Sequence, residues 1–238
     1  AAKITPIMFS DKDAWTADHM FAFTTGSWVP DFMQAYDDIL MGKAHITENV
    51  AITEQAKRLV DLREQYGQPN TLGTGYSDAI SAFSNGEAAM YLQGIWAIPA
   101  IKAANPEFEF SSFPLPFDKK EDCKVMMAVD FAIDISAGSA HKAEAMKFIE
   151  YMASEKAATK YSELDHSPSA IKGVETKLGE ADPLAAYIKE GKTFPQLFNL
   201  QTTDISANQT AIVQGLFSDK DMDKFLRDMD ALWYGAKK

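Results

Sequence analysis

Helix-like and strand-like apolar spacings alternate along the chain, and that alternation restricts it to an α/β architecture. Ile4 to Phe9 reads as a first strand. From Thr47 to Tyr66, Val50, Ile52, Ala56, Leu59, Val60 and Tyr66 recur close to the helical period, and Gly67 follows where such a helix would stop. Tyr76 to Asn85 reads as a short helix with Ala79, Ile80, Ala82 and Phe83 turned inward. Asn85-Gly86 ends it, and Ala88 to Leu92 then reads as a buried strand. Phe108 to Phe113 is expected to be another strand, closed by the rigid Pro114-Leu115-Pro116. Met126 to Ile135 is rich in β-formers with partial alternation. The clearest helix runs from His141 to Tyr161, with Ala145, Phe148, Ile149, Met152 and Ala153 on one face and Lys and Glu on the other. The loop Asp165 to Ser169 breaks it. Helical patterns return over Asp182–Lys189, Ser206–Phe217 and Met222–Tyr234.

A chain of 238 residues sits near the size at which one core gives way to two. No Gly- or Ser-rich linker divides it, so two lobes would be joined by ordinary short connections, as at a hinged cleft. The net charge of −11 comes without any Lys/Arg cluster, which argues against nucleic acid and against a polybasic membrane contact. The uncharged run Ala88 to Ile101 contains Gly94 and Pro99 and falls short of the roughly 20 apolar residues of a membrane span. Cys123 is the single cysteine, so no internal disulfide and no thiolate metal site can form. Ala1-Ala2-Lys3 leads directly into the first strand without a leader pattern. Either a precursor segment was removed or the chain starts partway into a larger protein.

Candidate chemistry narrows quickly. His19, His45, His141 and His166 are far apart and lack metal-ligand spacing; they read as surface or loop histidines, and no metal is expected. Asp11-Lys12-Asp13 and Asp37-Asp38 lack the further ligands of a calcium loop. There is no G-x-S-x-G elbow, and Leu72-Gly73-Thr74-Gly75 lacks the lysine of a phosphate loop, so no cofactor is expected. With 34 acidic residues, a glycosidase-type carboxylate pair stays open. The tryptophans are more specific. Trp15 falls in an apparent loop after the first strand, and Trp96 at the apparent start of a helix after the strand 88–92. Ligands of α/β sheets lie beyond the C-terminal ends of the strands. An indole there can cover the C–H face of a sugar while polar neighbours take its hydroxyls. The alternative, that both indoles fill the core, stays open on position alone. Trp28 and Trp233 read as core.

The run Tyr76 to Met90, with Phe83-Ser84-Asn85-Gly86-Glu87-Ala88-Ala89-Met90 and then Gly94-Ile95-Trp96, resembles the signature of the family 1 extracellular solute-binding proteins (maltose-binding-protein-like). Phe113-Pro114-Leu115-Pro116, Ile133 to Ser136 with the helix His141 to Met152, and Phe194-Pro195 with the helix from Ser206 fit the same family in order. The resemblance implies a periplasmic-binding-protein-like (type II) α/β fold, mostly its C-terminal lobe. It implies an extracellular component of a sugar ABC transporter, periplasmic or a surface lipoprotein, that binds sugar or oligosaccharide between lobes, presents it to the permease and catalyses nothing. On this reading residues 1–124 and 171–238 form the C-terminal lobe, and 125–170 belong to the N-terminal lobe and crossover. That segment, lacking its partner strands, would leave a helix face exposed. Trp96 matches the family's stacking tryptophan, and Trp15 and Asp13 fall at an aromatic and an acidic sugar contact. Asp130 is a further candidate near the cleft. Asp204 lies near another aromatic position, whose aromatic is absent here. Two competing readings remain, a glycosidase and a fragment without sugar affinity of its own.

Overall fold

The computed structural model describes residues 4–116, 119–129 and 132–237. Its frame is a parallel strand pair, β1 (Thr5–Met8) and β2 (Ala88–Tyr91), in the register Thr5↔Ala88, Ile7↔Met90 and Met8↔Tyr91. Parallel neighbours need a long crossover. Here four helices supply it: α1 (Ala14–Trp28), α2 (Phe32–Leu40), α3 (Val50–Tyr66) and α4 (Tyr76–Ser84). After β2 come α5 (Ala97–Ala104), β3 (Val125–Met127), α6 (Lys142–Met152), α7 (Glu155–Asp165) and α8 (Asp182–Lys189). The last elements are β4 (Thr193–Pro195), parallel to β3, then α9 (Thr203–Asp219) and α10 (Met222–Trp233). The α/β expectation holds, with helix predominating.

The main core is made by α1, α2, α3, α9 and α10, whose Phe21, Tyr36, Leu59, Val213 and Trp233 have no exposed surface. Helix α1 went unseen in the sequence because it has no single apolar face. Thr16, Asp18, Thr24, Thr25 and Ser27 are as buried as Met20 and Phe21. A helix packed on nearly all sides carries no amphipathic stripe. Thr24 and Thr25 donate to carbonyls of the turn before them, and neighbouring helices supply further partners. Gln55 Nε2 on α3 donates to the Phe21 carbonyl and to the Thr24 and Thr25 hydroxyls, each at 2.8 Å. Gln209 Nε2 donates to Asp18 at 2.7 Å, and Gln209 Oε1 accepts from the Trp233 indole at 2.7 Å. Trp233 is thus a core residue, as expected, and Trp28 packs partly buried with Arg58 over its ring.

Several strand expectations are corrected. Phe108 to Phe113 is not a strand. The Phe108 and Phe110 rings stack at 5.7 Å and both meet Phe83 of α4 edge-on, so packing on a helix replaces a ladder. β2 is a strand but not a buried one, for Met90 is 39% exposed. Within 126–135 only the residues pairing with β4 are strand, among those described. The long helix 141–161 is two helices. Ala153 closes α6, and the Ser154 hydroxyl accepts from Ala157 N–H to cap α7. No residue of α6 is buried, and Phe148 and Tyr151 are 56% and 59% exposed.

Candidate functional site

The chain leaves β1 through a tightly held turn. Phe9 exchanges two hydrogen bonds with the Gln68 side-chain amide, N–H to Oε1 at 3.0 Å and carbonyl from Nε2 at 2.5 Å. Asp11 then accepts from Arg63 Nε and Nη2, both at 2.8 Å, with side-chain exposures of 0% and 6%. The guanidinium lies 3.4 Å over the Phe217 ring centroid, and burial pulls its pKa down against the opposing pull of Asp11. Gln214 Nε2 donates to the Asp11 carbonyl at 2.7 Å, and Thr16 Oγ1 donates to the carbonyls of Ser10 and Asp13. These bonds leave residues 10–13 little freedom, and Trp15 follows on the first turn of α1. The expected loop at Trp15 is therefore corrected: it is helical.

Asp13 is spent locally. Its Oδ2 accepts from the Tyr76 N–H at 2.6 Å, where a carboxylate meets the positive N-terminal end of α4. Gly75 N–H donates to Asp78 in the same turn. This contact brings Tyr76 against Trp15, ring centroids 5.1 Å apart. Burial first, then Tyr91, push the Tyr76 phenol up to about 12, so it stays a neutral hydroxyl at any physiological pH. Burial likewise raises Tyr91, whose hydroxyl lies 3.2 Å from Ser10 Oγ across the ends of the two strands.

From β2 the chain passes through Gln93 and Gly94 to Trp96, the residue before α5, where a helix start was expected. The Trp96 indole folds back so closely that a Cβ on Gly94 would lie 2.1 Å from it. Only glycine admits the ring at this place. Trp15 and Trp96 then sit 6.5 Å apart at 50°. His19, one turn beyond Trp15, meets both indoles edge-on at 5.3 and 5.4 Å. Phe23 adds to Trp96 at 6.0 Å and Phe198 to His19 at 4.9 Å. Trp15 remains 37% exposed, which removes it from the class of core fillers.

The structure thus assembles Asp13, Trp15 and Trp96 beyond the C-terminal ends of β1 and β2. It adds Tyr76, His19, Phe23 and Phe198, which sequence reading passed over. The signal for two of them, His19 and Phe23, was present. Trp15, His19 and Phe23 recur every four residues, one row of a helix, visible once α1 is recognised. His19, expected on a surface or loop, sits inside this cluster. Asp204 does not join it. Its carboxylate accepts from Asn208 on the exposed side of α9. Gln214 pairs with residues 11–12 and Gln209 with Asp18, so α9 runs antiparallel to α1 and carries Asp204 away from Trp15. Asp130 lies outside the described residues. Among the described residues no three His, Cys, Asp or Glu side chains converge as a metal site, and no helix is long and apolar enough to cross a membrane.

Residues 1–187 match the family described as bacterial extracellular solute-binding protein. The chain belongs to that family. A curated relative, the multiple sugar-binding protein of Streptococcus mutans, is 34% identical over 188 residues, covering 77% of this chain and 45% of its own. Among solved structures, the solute-binding protein RafE in complex with raffinose superimposes with a TM-score of 0.79 at 27% identity, covering 99% of this chain and 62% of that one. Ligand-free RafE from Streptococcus pneumoniae gives 0.73 at 29%, over 99% of this chain and 61% of that one. A chitin oligosaccharide binding protein, 23% identical with a TM-score of 0.75 over 97% of this chain and 60% of that one, shows the shared fold alone. The fold is the type II periplasmic-binding-protein fold, and this chain spans about half to three-fifths of the length of these relatives.

Proposed function

We propose that this chain supplies one wall of the sugar cleft in the extracellular solute-binding component of an ABC transporter. The observation that carries the reading is the partly exposed Trp15–Trp96 pair placed beyond the ends of two parallel strands. Indole faces cover the C–H face of a pyranose, and the neutral Tyr76 hydroxyl stands beside them. The relatives support the same ligand class, one described as binding multiple sugars and one solved with raffinose. Sugar is bound and released unchanged to a permease. In support, Asp13, two residues before Trp15, and Asp78 both accept backbone N–H groups at the start of α4, which engages the two carboxylates structurally. Residues 125–170 are assigned to the other lobe; the uncovered Phe148 and Tyr151 of α6 fit a helix that packs against further protein.

Isothermal titration with raffinose tests the reading. Binding without consumption of the sugar is expected, and Trp96→Ala should weaken it at least about tenfold, as for a buried aromatic anchor. Unchanged affinity in Trp96→Ala would remove the site assignment. Absence of binding to the 238-residue chain, with binding by a longer chain carrying both lobes, would identify a fragment without affinity of its own. Turnover of a chromogenic glycoside would favour the glycosidase reading.

A further inference from the structure

We infer that His19 is a specificity-determining residue that accepts a hydrogen bond from a ligand hydroxyl through Nε2; this rests on the sugar-binding reading of the cluster. Its Nδ1 lies 2.9 Å from the Trp15 carbonyl, one turn back on α1. A carbonyl can only accept, so Nδ1 carries the proton, and in the neutral ring Nε2 is then an acceptor with a free lone pair. No hydrogen bond is made at Nε2 among the described residues. Because Nδ1 faces the helix backbone, Nε2 occupies the far end of the ring, away from that backbone.

The surroundings make this acceptor selective. Trp15, Trp96, Phe23 and Phe198 meet the imidazole at angles of 90°, 79°, 80° and 70°. None of these rings stacks flat on the imidazole. Those aromatic rings offer a ligand stacking and no hydroxyl-accepting nitrogen. A pyranose laid on Trp15 or Trp96 presents its rim of hydroxyls sideways, toward a ring whose centre is 5.3 to 5.4 Å from each indole. His19 therefore distinguishes a sugar with a hydroxyl donor at that rim position from one without it. The ligand class is a polyhydroxylated ring, and the contact is one hydroxyl donating to one imidazole nitrogen.

Raffinose is the probe. The wild-type chain, His19→Phe and His19→Gln are titrated calorimetrically, and the ring nitrogens of the wild type are followed by 15N NMR. Phenylalanine keeps the ring packing and removes the acceptor, so affinity should fall about three- to tenfold, the range for one net hydrogen bond. Glutamine returns an amide oxygen at similar reach and should recover most of the loss. In the wild type, raffinose should move the Nε2 resonance while Nδ1 stays protonated. Equal affinity in wild type and His19→Phe, or an Nε2 resonance that raffinose does not move, would overturn the inference. If those negatives occur while Trp96→Ala still weakens raffinose, the sugar-binding reading stands and only the role of His19 fails. If neither the 238-residue chain nor a longer chain carrying both lobes binds raffinose, both fail. The wild-type NMR measurement decides the matter even where His19→Phe does not fold.

Discussion

Removing the Asp11 carboxylate while leaving Arg63 in place strands a guanidinium in the protein interior. The two side chains are 0% and 6% exposed and share two hydrogen bonds of 2.8 Å, so water cannot replace the lost partner without opening the packing of Phe9 and Phe217 around the cation. Breaking a buried pair from one side costs about 3–5 kcal/mol, whereas replacing both partners by apolar groups is often near neutral. For a chain of this size each kcal/mol moves the melting temperature by about 2–4 °C, so Asp11→Ala should lower it by roughly 6–20 °C. Arg63→Met alone should cost a similar amount, because it leaves a buried carboxylate. The double variant should recover most of either loss. Thermal unfolding followed by circular dichroism on the four proteins closes a double-mutant cycle. The same turn holds Asp13 and Trp15, so raffinose affinity should fall in the single variants alongside stability. If Asp11→Ala costs less than about 1 kcal/mol, or if the two single losses simply add, the buried-charge argument is wrong.

Further outcomes follow from other contacts. Gly94→Ala should drive the Trp96 indole off its backbone seat, seen as a shift in tryptophan fluorescence and a raffinose affinity reduced toward that of Trp96→Ala; an unchanged spectrum would show that the ring accommodates the methyl. Burial holds the Asp18 carboxyl above its ordinary value of 3.8, with Gln209 and His19 offsetting only part of the cost. Between that value and the raised one the folded chain binds more protons than the unfolded chain, so stability falls as pH rises through the window. Asp18→Asn should accordingly raise the melting temperature at pH about 7 and lose that advantage toward pH about 4; the reverse trend would refute the assignment. Phe148→Lys on α6 should change stability by no more than about 0.5 kcal/mol, because the ring is already in solvent. A loss near the 3–5 kcal/mol of a buried phenylalanine would show the helix to be packed.

The amphipathic segments were the legible part of this chain. The α8 span Asp182–Lys189 is read off directly, and α3, α9 and α10 lie within a few residues of their expected ends, because one buried face imposes its period on the residues. The Gly94-Ile95-Trp96 exit from β2 and its helix start were equally visible. Other features are not local properties. α1 is buried on nearly all sides and spends polar side chains in the core, so its helicity depends on Gln55 and Gln209 arriving from elsewhere in the chain. Phe108 to Phe113 has the residues of a strand but finds α4 rather than a strand beside it, and β-propensity without a partner makes no sheet. The apolar face of α6 was visible, and its exposure, implied by the family resemblance, is what the described residues show.

The site divides along the same line. Sequence alone singled out Trp15, Trp96 and Asp13, through their positions after strand-like runs and the family signature. Tertiary structure decided that the two indoles stand 6.5 Å apart, that Asp13 holds the start of α4, and that His19 meets both indoles. Apolar periodicity is written in neighbouring residues and survives in one dimension. The distance between residues 15 and 96 depends on a parallel crossover of four helices, and only the folded chain sets it.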